Sequence, residues 1–131
     1  MILWDSSAVY ALADKTDINN KRAKEFLLEI LQSQEELVFH NYIVVESVAL
    51  LQRRLGLKAT REFLAQTAKF RIFWIDAQLH RLAEDYFRTH AIRKLSFVDC
   101  VSFAAMRQQG IARAFAFDND FEKAGFQLYG R

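Results

Sequence analysis

The sequence predicts an α/β fold, in which a mainly parallel sheet of five strands is flanked by helices. Short apolar runs alternate along the chain with longer segments whose apolar residues recur at helical spacing. This alternation runs from the first residues to the last, and the chain contains no proline that would interrupt it. Because a helix between successive strands lets those strands run in the same direction, the pattern favours a parallel sheet over hairpins.

The first half of the chain supplies two strands and four helices. We predict strands over residues 1–4 and 37–40, and helices over residues 7–13, 21–32, 43–55 and 58–68. Ser6 is a candidate N-cap of the first helix, because its hydroxyl can accept a backbone hydrogen bond. The polar stretch 14–20 forms a loop, and Gly56 is suited to end the third helix.

The second half of the chain supplies three strands and two helices. We predict strands over residues 70–75, 113–117 and 127–129, and helices over residues 77–89 and 97–109. Asp76 and Ser96 precede these helices and are typical N-cap residues, whereas Gly110 is typical of a helix end. No repeat or low-complexity tract divides the chain.

Size and composition predict a single domain over residues 1–131. Hydrophobic residues make up 52% and charged residues 26%, which is a globular composition. The one cysteine, Cys100, cannot form an internal disulfide, which suits a reducing compartment. Asp5 interrupts the first apolar run, and no other run reaches the roughly 18 apolar residues of a membrane span. We therefore expect a cytoplasmic protein with no membrane segment.

Four acidic residues occupy positions where carboxylates are uncommon. Asp5 follows the first strand and Asp118 follows the fourth, so both fall at the carboxyl edge of the sheet, where ligands bind in such folds. Glu46 and Asp99 lie on helical stripes whose other members are largely apolar. Carboxylates are rarely buried without a partner, so this placement requires an explanation.

Each of these acids also has a local explanation. Asp5 could be a helix cap, and Asp118 could be a turn residue together with Asp120. Glu46 could reach water or pair with a nearby arginine. Asp99 could be favoured by the dipole at the start of its helix.

One functional explanation covers all of these acids, namely that they converge on a divalent metal ion. Converging carboxylates repel one another unless a cation neutralises them, and hard oxygen ligands suit Mg²⁺ or Mn²⁺. Such ions support hydrolysis of a phosphodiester. Other catalytic sets are poorly supported. The histidines His40, His80 and His90 have no paired metal-ligand spacing, no histidine lies near Cys100 in sequence, and the glycines form no phosphate-binding loop.

Four segments resemble, in order, the motifs of the PIN-domain family: WDSSAV, YIVVESVALL, LSFVDCVSFAAM and FAFDNDF. The similarity covers essentially the whole chain and is greatest to the VapC-like toxin ribonucleases. It implies a three-layer PIN-like fold and a metal-dependent endoribonuclease. The resemblance assigns Mg²⁺ or Mn²⁺ binding and catalysis to Asp5, Glu46, Asp99 and Asp118, with Asp120 as a fifth metal-site acid and Ser6 as a supporting hydroxyl.

The chain departs from the family pattern at two places. Family members often carry threonine or serine two residues before the last motif's aspartate, where this chain has Ala116. The loss of that hydroxyl bears on catalytic strength more than on metal binding. His40 and Asn41 stand where the family often has a proline, which we interpret as structural variation.

The basic residues predict a surface that attracts RNA. With five acids assigned to the site, 18 basic residues face the remaining 11 acids (16 less 5), a balance of +7. Our RNA-binding candidates are Arg53, Arg54, Lys58, Arg93 and Lys94. The basic stretch that begins at Arg53 could equally be a solvated helix face. The resemblance also implies a homodimer and a small antitoxin that lies in an apolar groove.

Two rival functions remain open at this point. One is a PIN nuclease that processes RNA and has no antitoxin. The other is a non-catalytic RNA- or protein-binding PIN module. A phosphoacceptor receiver domain is disfavoured, because WDSS lacks the early pair of acids that such a domain requires.

Overall fold

The computed structural model describes residues 1–90, 92 and 94–131 of the chain. Arg93, one of the predicted RNA-binding residues, lies outside the described residues. The elements, in chain order, are β1 (Ile2–Trp4), α1 (Ser6–Ala13), α2 (Asn20–Gln32), β2 (Leu37–His40), α3 (Asn41–Leu55), α4 (Leu57–Thr67), β3 (Arg71–Phe73), α5 (Ala77–His90), α6 (Phe97–Gln109), β4 (Arg113–Phe115), α7 (Asp120–Lys123) and β5 (Gln127–Leu128). The predicted alternation of strands and helices is confirmed.

All strands belong to one parallel sheet with the order β3-β2-β1-β4-β5. The central strand β1 pairs with β2 and β4, so Leu3 lies beside both Val38 and Ala114. The prediction of a five-stranded parallel sheet is therefore confirmed. Because the strands are parallel, the ends of β1, β2 and β4 meet at one edge of the sheet. Asp5, His40 and the start of the segment after β4 all lie at this edge.

Helices cover both faces of the sheet and give the fold three layers. Every residue of β1 and β2 is buried, as expected of strands covered on both faces. Trp4 stacks on Phe39 with their ring centroids 4.7 Å apart, which joins the two central strands within the core. No helix in the described part is long and apolar enough to cross a membrane.

The start of α1 differs from the prediction. Ser6 is the first residue of the helix, and Asp5 is the N-cap, because its Oδ2 accepts a hydrogen bond from the Ser7 backbone N–H at 3.0 Å. The prediction of Ser6 as the cap is wrong. The predicted caps Asp76 and Ser96 are confirmed, with bonds of 2.9 and 3.0 Å to the backbone of Leu79 and Asp99.

Strands β1, β3, β4 and β5 are each shorter than predicted. Beyond the ends of β3 and β4, side chains take over backbone hydrogen bonds. After β3, the backbone N–H of Ile75 donates to the side chain of Asn41 at 2.7 Å. After β4, the backbone N–H of Phe117 donates to the Ser7 hydroxyl at 3.0 Å. The second of these bonds ties the end of β4 to the start of α1.

The one-turn helix α7 has no counterpart in the prediction. The side chain of Asp118 accepts a hydrogen bond from the Asp120 backbone N–H at 2.9 Å, which forms the turn that starts the helix. A helix of four residues is too short to produce a periodic apolar pattern. As a result, the side chains of Asp118 and Asp120 both project from the same tight turn.

Candidate active site

Asp5 is buried at the end of β1 with one of its two oxygens unpaired. Its side chain is only 3% exposed. Oδ2 accepts hydrogen bonds from the backbone N–H and the hydroxyl of Ser7, at 3.0 and 2.6 Å. Among the described residues, Oδ1 has no hydrogen-bond partner although it is inaccessible to solvent. Leaving such an oxygen unsatisfied costs about 1–3 kcal/mol, so a missing partner is expected.

Three further aspartates come together at the same edge of the sheet. Asp99, Asp118 and Asp120 each offer a carboxylate oxygen, and these oxygens lie within 4.8 Å of one another. Asp99 comes from the first turn of α6, while Asp118 and Asp120 come from the turn after β4. Asp5 and Glu46 are outside this set of three. The prediction named Asp120 as a fifth acid of the site, and its carboxylate lies within this set of three.

Asp99 takes part in the N-terminal cap of α6 and also belongs to the acidic cluster, the set formed by Asp99, Asp118 and Asp120. Its backbone N–H donates to the Ser96 hydroxyl at 3.0 Å, and its Oδ2 accepts from the Ser96 backbone N–H at 3.3 Å, which forms a capping box. The carboxylate is 8% exposed. Its cap contact uses one oxygen, so the other remains available to a ligand.

Glu46 approaches the site from α3 through a serine. The Ser6 hydroxyl donates to Glu46 Oε1 at 2.5 Å, which connects α3 to the first turn of α1. No arginine among the described residues forms an ion pair with Glu46. The alternative explanation of a structural arginine pair therefore has no support.

The acids at this edge have raised pKa values. Burial raises the pKa of Asp5 to about 6, and the charges of Glu46 and Asp118 add to that effect. Burial raises the pKa of Asp99 to about 7, with further contributions from the charges of Asp5 and Asp118. Each of these carboxylates is therefore close enough to the others to oppose their ionisation.

Glu46 and Asp120 show the same tendency. Burial raises the pKa of Glu46, while the hydrogen bond from Ser6 partly offsets it. The pKa of Asp120 is raised by burial and by Asp118, and the cations of Lys123 and Lys94 act against that shift. Lys94 therefore lies near the acidic cluster, as the RNA-binding prediction requires, although its role stays a prediction.

This group of side chains fits a hard divalent cation. The donors are carboxylate oxygens, which Mg²⁺ and Mn²⁺ prefer. A cation would favour the ionised forms of Asp5 and Asp99, which burial and the charges of neighbouring acids disfavour. It would also supply a partner for the unpaired Oδ1 of Asp5. Cys100 offers no competing nucleophile, because burial raises the pKa of its thiol to about 11.

Sequence analysis missed Ser7. Its hydroxyl donates to Asp5 Oδ2 at 2.6 Å and accepts from the Phe117 backbone N–H at 3.0 Å. It therefore joins the ends of β1 and β4 and fixes the orientation of the first aspartate. The chain thus has a hydroxyl beside Asp5 even though Ala116 provides none. Only the repeated serine in WDSSAV could have suggested this residue.

His40, for which sequence analysis found no paired metal-ligand spacing, is buried at the end of β2. Its Nδ1 accepts from the Ile43 backbone N–H at 3.3 Å, so the ring caps α3. This leaves Nε2 to donate to the Ser102 hydroxyl at 2.8 Å. Burial lowers the pKa of His40 to about 3, and the ring is therefore neutral.

A solvent-filled cleft of about 650 Å³ opens beside the acidic cluster. Asp118 and Asn119 line it on one side and Arg54 lines it on the other. Arg53 and Lys58 are exposed on α3 and α4 and do not line this cleft. Of the basic residues predicted on these two helices, only Arg54 is placed beside the acids.

Comparisons with known proteins agree with this geometry. Residues 2–127 match the family described as PIN domain. The 23S rRNA-specific endonuclease VapC20 of Mycobacterium tuberculosis is 36% identical over 129 residues, which cover 96% of this chain and 95% of that protein.

Two solved structures are similar to the whole chain. The crystal structure of Mycobacterium tuberculosis VapC20, described as a Sarcin-Ricin loop cleaving toxin, has a TM-score of 0.88 at 33% identity and covers 96% of both chains. FitAcB from Neisseria gonorrhoeae has a TM-score of 0.69 at 18% identity, covering 99% of this chain and 97% of that one. At that identity the second likeness concerns the fold alone.

Proposed function

The chain belongs to the PIN-domain family, and on that premise we propose that it is a metal-dependent endoribonuclease acting as one domain. The observation that carries the proposal is the unpaired, buried Oδ1 of Asp5 beside three aspartates whose oxygens lie within 4.8 Å. A purely structural set of acids would be stabilised by hydrogen bonds or arginines, as Asp14 is by Tyr10 and Thr16. The acidic cluster is compensated only in part: the Ser96 N–H donates to Asp99 and Lys123 lies 4.0 Å from Asp120, but the neighbouring Oδ1 of Asp5 has no partner among the described residues.

We assign metal binding to the predicted acids. Asp5, Asp99, Asp118 and Asp120 would hold Mg²⁺ or Mn²⁺, with Glu46 at the margin of the site. When bound, such an ion lowers the pKa of a water molecule and stabilises negative charge on the scissile phosphate. The protein's own contribution is to hold the carboxylates in place before the ion arrives.

Two serines on the first turn of α1 provide much of this positioning. Ser7 orients Asp5 by two hydrogen bonds and ties it to the end of β4. Ser6 orients Glu46 by one short bond of 2.5 Å. Because both serines belong to the helix that Asp5 caps, one turn of helix positions acids from β1 and α3.

For the substrate, we propose a ribosomal RNA loop of the kind that VapC20 is named for. That relative is called 23S rRNA-specific, and its structure is described as a Sarcin-Ricin loop cleaving toxin. The matched 129 residues cover 96% of this chain, so the segments that carry the acids lie almost entirely within the span of the likeness. A cytoplasmic location belongs to the same proposal, since ribosomes are there.

A small antitoxin partner and a homodimer complete the proposal. An apolar groove of about 310 Å³ lies between α1, α2 and α4 and is lined by Leu27, Leu31, Phe63 and Phe70. Leu31 is 55% exposed, so the groove presents an apolar surface that an amphipathic segment could cover. This groove supports the antitoxin, while the homodimer rests on the family resemblance.

The test is cleavage of a synthetic RNA hairpin with the sequence of that ribosomal loop. We expect cleavage with Mg²⁺ or Mn²⁺ and none with EDTA, and products that end in a 5′-phosphate and a 3′-hydroxyl. Asp99→Asn should abolish cleavage, whereas Asp85→Asn, an exposed acid on α5, should not. Products with 2′,3′-cyclic phosphate ends, or full activity in EDTA, would reject the proposal.

A further inference from the structure

A basic groove leads away from the acidic cluster along the ends of β4 and β5. The cleft of about 650 Å³ beside Asp118 adjoins a second cleft of about 360 Å³, because Asn19, Phe117 and Arg131 line both. Each volume falls in the range of roughly 300–1,000 Å³ that holds a drug-sized ligand, which is about the size of a nucleotide. The two clefts together form a path rather than a closed pocket.

Arginines are the main charged residues of this path. Arg54 lies in the first cleft, Arg22 in the second, and Arg131 in both. The acids that line the two clefts are Asp17 and Asp118, and the second of these belongs to the acidic cluster. Once a cation neutralises the cluster, the path carries a net positive charge.

Two of these arginines are free of ion pairs within the described part of the chain. Neither Arg22 nor Arg54 has a carboxylate within 4.0 Å, whereas Arg131 pairs with Glu122 at 2.7 Å. The guanidinium of Arg54 lies 5.3 Å from the centre of the Tyr10 ring, and the Tyr10 hydroxyl donates to Asp14 at 2.7 Å. This contact orients the arginine without a salt bridge.

Aromatic rings alternate with the arginines. Phe117 lines both clefts and stacks on Phe26, with ring centroids 6.4 Å apart, and Phe26 contacts Tyr129 edge-on at 5.3 Å. Gly130 permits this arrangement, because a side chain there would collide with the Phe26 ring. Cationic side chains interleaved with aromatic faces are the usual composition of grooves that bind single-stranded nucleic acid.

We propose that this path, from Arg54 past Phe117 to Arg22, binds the single-stranded RNA that flanks the scissile phosphate. The inference rests on the proposed function and names the part of the protein that holds the substrate. Arg54 and Arg22 contact successive phosphates on one side of the cut, and Phe117 offers a face on which a base stacks. RNA of single-stranded character is favoured over a duplex because stacking on a side chain needs an unpaired base.

The test measures binding apart from cleavage. A labelled single-stranded RNA oligonucleotide of mixed sequence is titrated with Asp99→Asn protein, which is not expected to cut it, over a range of potassium concentrations. Arg54→Ala and Arg22→Ala are each added to that background. Their matched controls are Arg61→Ala and Lys24→Ala, which remove the same charge from exposed positions on α4 and α2, outside the path.

The two groove variants should weaken binding at low salt and reduce the log–log salt slope by about 0.7 for each lost phosphate contact. The two controls should leave the slope nearly unchanged. Phe117→Ala should weaken binding while the slope is retained, because stacking releases no counterions. Equal slopes for groove variants and controls would overturn the proposal, and so would a groove that binds an acidic peptide but not RNA.

The outcome is separable from that of the proposed function. If wild-type protein cleaves the hairpin but Arg54→Ala and Arg22→Ala leave the salt slope of binding unchanged, the proposed RNA-binding groove is overturned and the proposed nuclease function stands. Protein that binds RNA through these arginines but does not cleave with Mg²⁺ would support the groove and reject the nuclease.

Discussion

The carboxyl ends of β1 and β2 each bury a titratable residue, and the two residues have opposite environments. Asp5 and His40 both follow a buried strand, and each caps the helix that comes next. Both ring nitrogens of His40 have hydrogen-bond partners, in Ile43 and Ser102. Asp5 has one oxygen paired with Ser7 and one oxygen without a partner among the described residues.

The difference separates a structural residue from a site residue. Burial pushes both groups toward their neutral forms, lowering the pKa of His40 to about 3 and raising that of Asp5 to about 6. For His40 the neutral form is also the form that satisfies its surroundings. Asp5, by contrast, lies beside other acids and has one oxygen without a hydrogen-bond partner, and no group among the described residues compensates for either.

The largest effect is expected from Asp5→Asn. The amide oxygen can still accept both bonds from Ser7, so the helix cap survives, but one charge of the acidic site is lost. We expect cleavage to fall by at least about a hundredfold, comparable to the loss of one preorganised electrostatic group elsewhere. The measurement is the single-turnover rate on the ribosomal loop hairpin.

Thermal melts provide the control for that variant. In EDTA, Asp5→Asn should be as stable as wild type or more stable, because it removes a repelling charge. With Mg²⁺ well above its dissociation constant, wild type should gain roughly 1–3 kcal/mol and the variant much less. A variant that melts far below wild type in EDTA, beside a wild type indifferent to Mg²⁺, would make Asp5 a structural cap only.

His40→Ala should have the opposite profile. It removes a fully buried ring and leaves the Ile43 N–H and the Ser102 hydroxyl without their partner, which together cost about 2–4 kcal/mol of unfolding free energy. The loss should be equal with EDTA and with Mg²⁺, as measured by chemical denaturation. His40→Asn, which can restore the cap to Ile43, should recover part of it.

Cleavage at a temperature where the variant is folded completes this test. If His40→Ala protein is folded but cuts no RNA, His40 has a role in cleavage as well as in stability. The contrast drawn with Asp5 would then be wrong.

The pH dependence of stability is expected to be smaller, and it has two opposing parts. Asp5 and Asp99 have folded pKa values of about 6 and 7, above the ordinary aspartate value of 3.8, so the folded state gains protons first. Their contribution is fully present below about pH 4 and is lost as pH rises through 6–7. Metal-free protein should therefore gain roughly 4 kcal/mol from these two groups between pH 8 and pH 5, about half of which His40 offsets.

His40 acts in the other direction. Its folded pKa of about 3 lies below the ordinary value of 6.5, so its contribution is present above pH 6.5 and is lost as pH falls toward 3. Asp99→Asn should flatten the gain between pH 8 and pH 5, as should Mg²⁺, which favours the ionised acids. Denaturation midpoints at several pH values measure how stability changes with pH for the two opposing contributions. A metal-free wild-type protein whose stability falls steadily from pH 8 to pH 7 would contradict the contribution assigned to Asp5 and Asp99.

The smallest effect is expected from Ser7→Ala. The variant removes one of the two hydrogen bonds to Asp5 and the acceptor of the Phe117 N–H, which should cost about 1 kcal/mol and roughly a fivefold loss in cleavage rate. Ser33→Ala is the matched control, because its hydroxyl also makes two hydrogen bonds but only to nearby backbone, the carbonyl of Ile30 and the N–H of Glu35. Equal rates for Ser7→Ala and wild type would show that Asp5 is positioned by the backbone alone.

The fold and the acidic residues could be predicted because buried positions produce recognisable patterns of apolar residues in the sequence. Alternating apolar segments gave the strands and helices, and a carboxylate on an apolar stripe stands out wherever it occurs. Glu46 and Asp99 were found in this way, Asp5 and Asp118 by their positions at the ends of strands, and Asp120 through the family resemblance. The sheet edge brings these acids close to one another. Their assignment as metal ligands stays a prediction that the variants above test.

The missed features depend on contacts between distant parts of the chain. Ser7 bonds to Phe117 across 110 positions, and no local pattern marks that partner. His40 is a lone histidine in an apolar run, and only the position of Ser102 shows that its ring is satisfied. Arg22 and Arg131 approach the acidic cluster because β5 and α2 meet beside β4, which no spacing in the sequence indicates.

The strand order separates the parts of the proposed site in the order of translation. β1 is translated well before its neighbour β4, which begins at Arg113 and is followed by Asp118. Until β4 is available, β1 has one open edge, and the carboxylates of Asp118 and Asp120 are missing from the edge of the sheet where Asp5 lies. The proposed metal site is therefore assembled only after this segment has been synthesised, and a nascent chain that lacks it has an incomplete site.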